Sequence, residues 1–199
     1  MIHKTVYPKT ARISEEMVAI TEKLDGSNIG FFKLNGELLV CTRNNIITLS
    51  EIDTAKEVLY KGLYGWLVEQ GEKLKNSLNE TSGFFGEWMG TGKLKYNLDK
   101  KVYIFAKANL DEEFNVYNIY YKIDLLKYPF VNQSIPEFLD LVPYVELLSY
   151  IPSIQELNTL YATYCNIVGR NVEGFVLNFG GTIRKYVRMK NGKLADHTY

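Results

Sequence analysis

An α+β architecture built mainly on antiparallel sheets is predicted by three observations. Short runs of strand-forming residues recur along the chain, tight glycine-containing turns join several of them, and stretches of helical spacing are inserted between them. In chain order, residues 17–24 predict a strand that runs into a turn at Leu24-Asp25-Gly26. Ile29–Lys33 and Glu37–Thr42 alternate around Asn35-Gly36, a hairpin turn. Glu51–Leu78 carries Val58, Leu59, Leu63, Trp66, Leu67 and Leu74 at helical spacing and predicts one or two helices. Gly83–Met89, Val102–Ala106 and Phe114–Leu125 predict strands, and the proline-bearing residues 129–152 predict short helices and loops. Ser153 with Glu156 forms a capping box that opens a helix to about Cys165. Val172–Phe179 and Ile183–Met189 form a last strand pair joined through Gly180-Gly181.

The 199 residues fit a single domain spanning 1–199, and 46% hydrophobic residues are ample for a core. Lysine and arginine total 23, as do aspartate and glutamate. A neutral chain is no generic polyanion binder, so any such contact must come from a local patch. Cys41 and Cys165 lack metal-ligand spacing and are expected to be buried and reduced. There is no apolar signal core and no run long enough to cross a bilayer, so a soluble, cytoplasmic protein without membrane partners is expected.

The most informative stretch is Lys23-Leu24-Asp25-Gly26-Ser27-Asn28. Asp-Gly-Ser-Asn is also ordinary β-turn chemistry, and taken alone the stretch reads as a turn. A lysine amine can, however, attack the α-phosphate of a nucleoside triphosphate once it is neutral. An ordinary lysine, with a pKa near ~10.4, is almost fully protonated at neutral pH. Burial and nearby cations favour the neutral form, and apolar Met17–Thr21 lies just before Lys23. Gly26 permits a tight turn and close backbone approach to a ligand, Asp25 can orient the lysine or brace the turn, and Asn28 offers a donor and an acceptor.

Five further segments follow in order. Arg43, after the hairpin, could fork onto a phosphate or ribose, or be a surface arginine. Phe84-Phe85-Gly86-Glu87-Trp88 places Glu87 at the end of an apolar strand, where it could accept from a ribose hydroxyl or be a strand-end charge. Gly90-Thr91-Gly92-Lys93 lacks the spacing of a P-loop, which is rejected. Tyr103-Ile104-Phe105 offers an aromatic face for a purine, or core. Glu173, in Val172-Glu173-Gly174-Phe175-Val176, would suit Mg²⁺ together with phosphate oxygens. Arg184, Tyr186, Arg188 and Lys190 alternate onto one strand face, expected opposite the lysine, where cations would offset triphosphate charge. Each segment has a plain structural alternative, but five sites in one order are far more specific than any one.

On those residues the chain resembles the covalent nucleotidyltransferase superfamily of polynucleotide ligases and mRNA capping enzymes. Lys23-Leu24-Asp25-Gly26 looks like its nucleophile motif, Phe85-Gly86-Glu87 like the third motif, and Tyr103–Phe105 like the adenine-stacking strand. Glu173-Gly174-Phe175-Val176 resembles the fourth motif and Arg188-Met189-Lys190 the fifth, which can alternatively be read through Lys185. The resemblance spans residues 20–194. With Thr21-Glu22-Lys23, Asn28 and Arg43, it is greatest to the RNA-ligase branch of phage T4 RNA ligase 2 and the trypanosome editing ligases. Two departures stand out: Phe105 is followed by Ala106-Lys107 where Asp is common, and Tyr199 leaves no room for an OB fold or a C-terminal helical domain.

The resemblance implies an ATP-grasp-like adenylation domain. It implies an ATP-dependent RNA ligase that joins 5′-phosphate and 3′-hydroxyl ends, nicked duplexes included, through lysyl-AMP. Lys23 would be the nucleophile and Glu173 the carboxylate for Mg²⁺ or Mn²⁺. Glu87, Asn28 and Arg43 would hold the ribose side, and Phe105 would stack on adenine. Backbone groups around Thr21-Glu22 would read the adenine edge, while Arg188 and Lys190, or Lys185, would contact the α-phosphate. Asp25 and Gly26 would shape the nucleotide turn, and a separate protein could supply nucleic-acid surface. The alternatives are a DNA nick ligase and a nucleotide-binding protein that has lost end joining; GTP capping is disfavoured by Asn28 and the missing OB fold.

Overall fold

In the computed structural model, which describes residues 17–121, 135–190 and 193–194, the first strand leaves one sheet and the second begins another only four residues later. The four-stranded sheet has the order β11-β10-β1-β9, formed by Thr182–Val187, Gly174–Phe179, Val18–Lys23 and Tyr144–Leu148. The larger sheet follows β4-β3-β2-β5-β6-β7: Ile46–Thr48, Glu37–Cys41, Ser27–Leu34, Ser82–Trp88, Val102–Leu110 and Val116–Tyr121. The two-residue β8 (Asp140–Leu141) lies parallel to β6; every other pairing among the described residues is antiparallel. β12 (Met189–Lys190) and β13 (Lys193–Leu194) form a small ribbon.

Each sheet packs a helix on its outer face. α1 (Leu63–Ser77) buries Leu63, Leu67 and Leu74 against Ile29, Phe31, Val40, Phe84, Trp88 and Ile104 of the large sheet. Complete burial of such a leucine stabilises by about 1.5–3 kcal/mol. α2 (Ile154–Val168) packs Leu157 and Tyr161 on Val18, Ile20, Phe175 and Tyr186. Phe175 and Tyr186 stack with centroids 5.7 Å apart beneath Tyr161. A smaller cluster of Leu24, Tyr103 and Val142, with Met89, Tyr96, Leu98 and Phe105 against it, lies beside the first turn.

The predicted hairpin forms, with Asn35 and Gly36 both at positive φ as its turn requires. The capping box at Ser153 also forms, its hydroxyl accepting the Glu156 N–H and the Glu156 carboxylate accepting the Ser153 N–H. The helix expected within Glu51–Leu78 begins only at Leu63, because Gly62 adopts a left-handed conformation and the residues before it form two 3₁₀ turns. Part of the segment expected to hold only short helices and loops is instead strand: Pro143 ends the approach and Tyr144–Leu148 pairs with β1. The outer end of one expected strand, residues 122–125, lies outside the described residues, as do residues 129–134 of the proline-bearing segment and residues 191–192 within the resemblance. Both cysteines are free and half-buried. No described helix is long and apolar enough to cross a membrane.

Gly174 is a fixed point of the small sheet. Its φ of 156° lies where side chains are rarely tolerated, and a Cβ would strike the Tyr186 carbonyl oxygen on the neighbouring strand. Gly174→Ala is expected to cost about 2–3 kcal/mol by overpacking, seen as a melting-temperature drop of roughly 5–10 °C; an unchanged melting temperature would mean that the strand pair relaxes freely.

Candidate active site

Lys23 is the last residue of β1, and its side chain leaves the face opposite α2. Strand register fixes this: Glu22 pairs with Phe175, which pairs with Tyr186, and both aromatic rings lie under α2. Thr21, Val176 and Lys185 form the next row on the other face, followed by Lys23, Gly174 and Val187. Glu173 immediately precedes β10 and meets the lysine: Lys23 Nζ donates to Glu173 Oε2 at 2.5 Å, with the two side chains 20% and 16% exposed. A partly buried pair at this distance is screened far less than a surface ion pair.

The large sheet supplies the opposing wall. Asn28 of β2 stands directly across from Glu87 of β5, and Glu87 across from Tyr103 of β6. Burial pushes the Glu87 carboxyl up to about 7, with Glu173 adding to the shift. The charges of Lys23 and Lys185 and a bond from the Gly26 N–H act in the opposite direction. Glu173 is likewise raised by burial, opposed chiefly by its bond to Lys23. Two carboxylates, two lysines and a backbone N–H therefore converge where the sheets meet.

Tyr60 joins two of the sequence candidates, its hydroxyl accepting the Arg43 N–H and donating to the Asn28 carbonyl, both at 3.0 Å. Phe105 lies at a β-bulge: Ile104 pairs with Gly86 and Ala106 with Phe85, leaving Phe105 as the extra residue. The bulge aims it into the cluster with Leu24 and Tyr103, and such bulges re-aim side chains beside functional sites. Asp25 braces the turn, its Oδ2 accepting the Lys93 and Leu94 N–H groups at 2.7 and 2.9 Å. A Cβ on Gly26 would press on the Trp88 carbonyl and Glu87.

The structure places several of the sequence candidates elsewhere than on one face opposite Lys23. Arg184, Tyr186 and Arg188 do not oppose Lys23. Strand alternation turns Arg184 and Tyr186 to the α2 face, and the Arg188 guanidinium lies 5.7 Å from the Tyr161 ring centroid. Lys185 is the cation of this strand that shares the face of Lys23. Lys190 is exposed on the short ribbon. Finally, the Glu22 side chain is wholly buried on the α2 side in an ion pair with Arg170, and its N–H donates to the Pro143 carbonyl instead of standing open to a ligand. The sequence reading missed Arg170, Tyr96 and Tyr60, whose partners lie 148, 71 and 32 residues away, beyond any local spacing.

Among the described residues no three His, Cys, Asp or Glu side chains cluster to cage a metal. Glu173 and Glu87, near enough for their charges to act on each other, offer hard oxygens that suit a divalent ion taking one or two carboxylates and completing its shell from phosphates and water.

With a carboxyl raised to about 7 from an ordinary 4.5, the folded protein holds a proton that the unfolded chain releases between those values. Glu87 therefore lowers stability progressively as pH rises through that window. Glu87→Gln is expected to gain stability relative to the parent between pH 5 and pH 8, measured as melting temperature; parallel curves would deny the carboxyl that proton.

The sequence profile of the RNA ligase family matches residues 16–187. A search of curated proteins finds no match, whereas 22 chains among solved structures match. One is an apo mutant of Naegleria gruberi RNA ligase, with 16% identity over 88% of this chain and 50% of that one, at a TM-score of 0.52. Another is a mutant RNA ligase of Naegleria gruberi with ATP and Mn, with 15% identity over 88% and 50%, at a TM-score of 0.51. At such identities the likeness establishes the fold, and this chain spans half the length of those it matches.

Proposed function

Because the chain belongs to the RNA ligase family, we propose that it activates RNA ends by first carrying AMP on Lys23, using ATP as donor. The observation that carries this reading is the contact of Lys23 Nζ with Glu173, at the seam where Glu87 and Lys185 also converge. A partly buried lysine with a second lysine close by suits a nucleophilic amine, and the Glu173 carboxylate in contact with it is placed to take up a proton.

In the proposed step the Lys23 nitrogen bonds to the α-phosphorus of ATP as the bond from that phosphorus to the pyrophosphate oxygen breaks. Nζ sheds two protons across the step, to the carboxylates around it or to solvent. Lys185 offsets the charge that grows on the α-phosphate, a role that needs the face it occupies. Asn28 and Glu87, side by side, and Arg43, linked to Asn28 through Tyr60, suit the ribose side. Phe105 suits the adenine, and Thr21 shares the Lys23 face of β1. Mg²⁺ or Mn²⁺ held by Glu173, with Glu87, would shield phosphate charge. AMP then passes to an RNA 5′-phosphate, and a 3′-hydroxyl displaces it as the phosphodiester forms. Ligases of this fold have been solved with ATP and Mn, which supports the choice of nucleotide and ion. The RNA acceptor follows from the family alone.

Incubation with ATP and Mg²⁺ followed by intact mass should add one AMP, and Lys23→Ala should add none. An adduct on that variant would remove the nucleophile assigned here. Lys185→Ala is expected to slow adenylylation by about 10²-fold, whereas Arg184→Ala, on the far face, should stay near the parent rate. The reverse ranking would return the phosphate contact to the other register.

A further inference from the structure

We propose that Arg170 and Tyr96 are positioning residues for Lys23, holding the backbone on both sides of the nucleophile from chain segments that supply none of its chemistry. What Lys23 does is taken from the ligase reading above. Glu22, one residue before the lysine, has a side chain with no exposed area. Its carboxylate accepts from Arg170 Nη1 at 2.6 Å, Arg170 Nη2 at 2.9 Å and the Tyr164 hydroxyl at 2.9 Å. Arg170 Nε donates to Asn97 Oδ1 at 2.9 Å, and the guanidinium lies 4.6 Å from the Tyr96 ring centroid. The Tyr96 hydroxyl in turn accepts the N–H of Asp25, two residues after the lysine, at 2.7 Å. One guanidinium–ring stack thus anchors the main chain before and after Lys23.

The second anchor is reinforced by the strap that carries Tyr96. The Asp25 carboxylate accepts the Lys93 and Leu94 N–H groups, Ser27 and Thr91 share a hydroxyl bond at 2.7 Å, and Gly92 passes so close that a Cβ would strike the Asp25 carbonyl oxygen. Arg170 is itself placed by the end of α2: Gly169 closes the helix in the left-handed conformation and the Arg170 N–H returns to the Cys165 carbonyl.

Stability alone does not explain the pair. A buried ion pair can usually be replaced by apolar residues at little cost, whereas its geometry is costly to lose. Here the bidentate fork, the Nε bond and the stacked face fix the guanidinium in every direction, which a lysine cannot reproduce. Glu22 and Lys23 leave opposite faces of β1, so the clamp acts on the backbone and not on the reacting atoms. Attack on phosphorus is sensitive to such placement: an error of about 1 Å can cost roughly 10²-fold.

The test uses the full chain with Tyr96→Phe, which keeps the ring under Arg170 but removes the acceptor of the Asp25 N–H, and with Arg170→Lys. The expected result is a single-turnover adenylylation rate about 10- to 100-fold lower, with half-saturating ATP within about twofold. Amide hydrogen exchange should quicken at residues 22–26 while Gly174–Phe179 keeps its protection. The neutral pair Glu22→Gln with Arg170→Met should match the parent in melting temperature without recovering its rate. Unchanged rate and exchange in both single variants would overturn the proposal. So would a parallel loss of ATP affinity, or full recovery of rate in the neutral pair. Faster exchange at 22–26 in a protein whose parent takes up no AMP would leave the clamp standing and remove the ligase reading instead.

Discussion

Everything at this site depends on the contact between Lys23 and Glu173 across the two central strands of the small sheet. The two residues are 150 positions apart, and neither has a geometric relation to the other until β1 and β10 pair. Register then does the rest. Antiparallel pairing sets Lys23 opposite Gly174, and the chain leaving Gly174 toward the lysine must pass through Glu173. The bare glycine is not incidental, because the neighbouring carbonyl of Tyr186 occupies the space a side chain would need. The ion pair is therefore a consequence of strand alignment, and the small sheet and its helix can be understood as the apparatus that keeps the alignment.

The large sheet does something different: it surrounds that pair with groups whose preferences conflict. Glu87 is buried enough to resist ionisation, yet lies close to two lysines that favour its charge and to Glu173, which opposes it. In the proposed reaction, a divalent cation arriving with the nucleotide would favour the charged form of both carboxylates. Such unresolved electrostatics mark functional sites more often than structural networks, which usually reach full satisfaction.

Much of this was legible in the residues and some of it was not, for definite reasons. Asn35-Gly36 and the Ser153–Glu156 box specify their structures locally, because turn dihedrals and cap bonds are satisfied within a few residues. Lys23, Glu87 and Glu173 stood out because a chemical type recurred in order beside glycine. What could not be read was the side of the strand on which each cation falls. Arg184, Tyr186 and Arg188 do alternate together as expected, but alternation names two faces without saying which one is the site, and burial of Tyr186 under α2 decides it. Arg170 was invisible for a related reason: its partner Glu22 belongs to a strand from the opposite end of the chain, and nothing in either neighbourhood announces the other.

The position of β1 inside its sheet also bears on how the protein comes to exist. Its two neighbours are Tyr144–Leu148 and Gly174–Phe179, so the strand that carries Lys23 is made well before either of its partners. During synthesis β2, β3, β5 and β6 can assemble while Val18–Lys23 still lacks both partners, exposing Val18 and Ile20, later fully buried. Long-range pairing of this kind is slow to close. Lys23 is thus kept from Glu173 until the last third of the chain has emerged, and on the proposed reading a nascent or truncated product would lack the pair that AMP transfer uses.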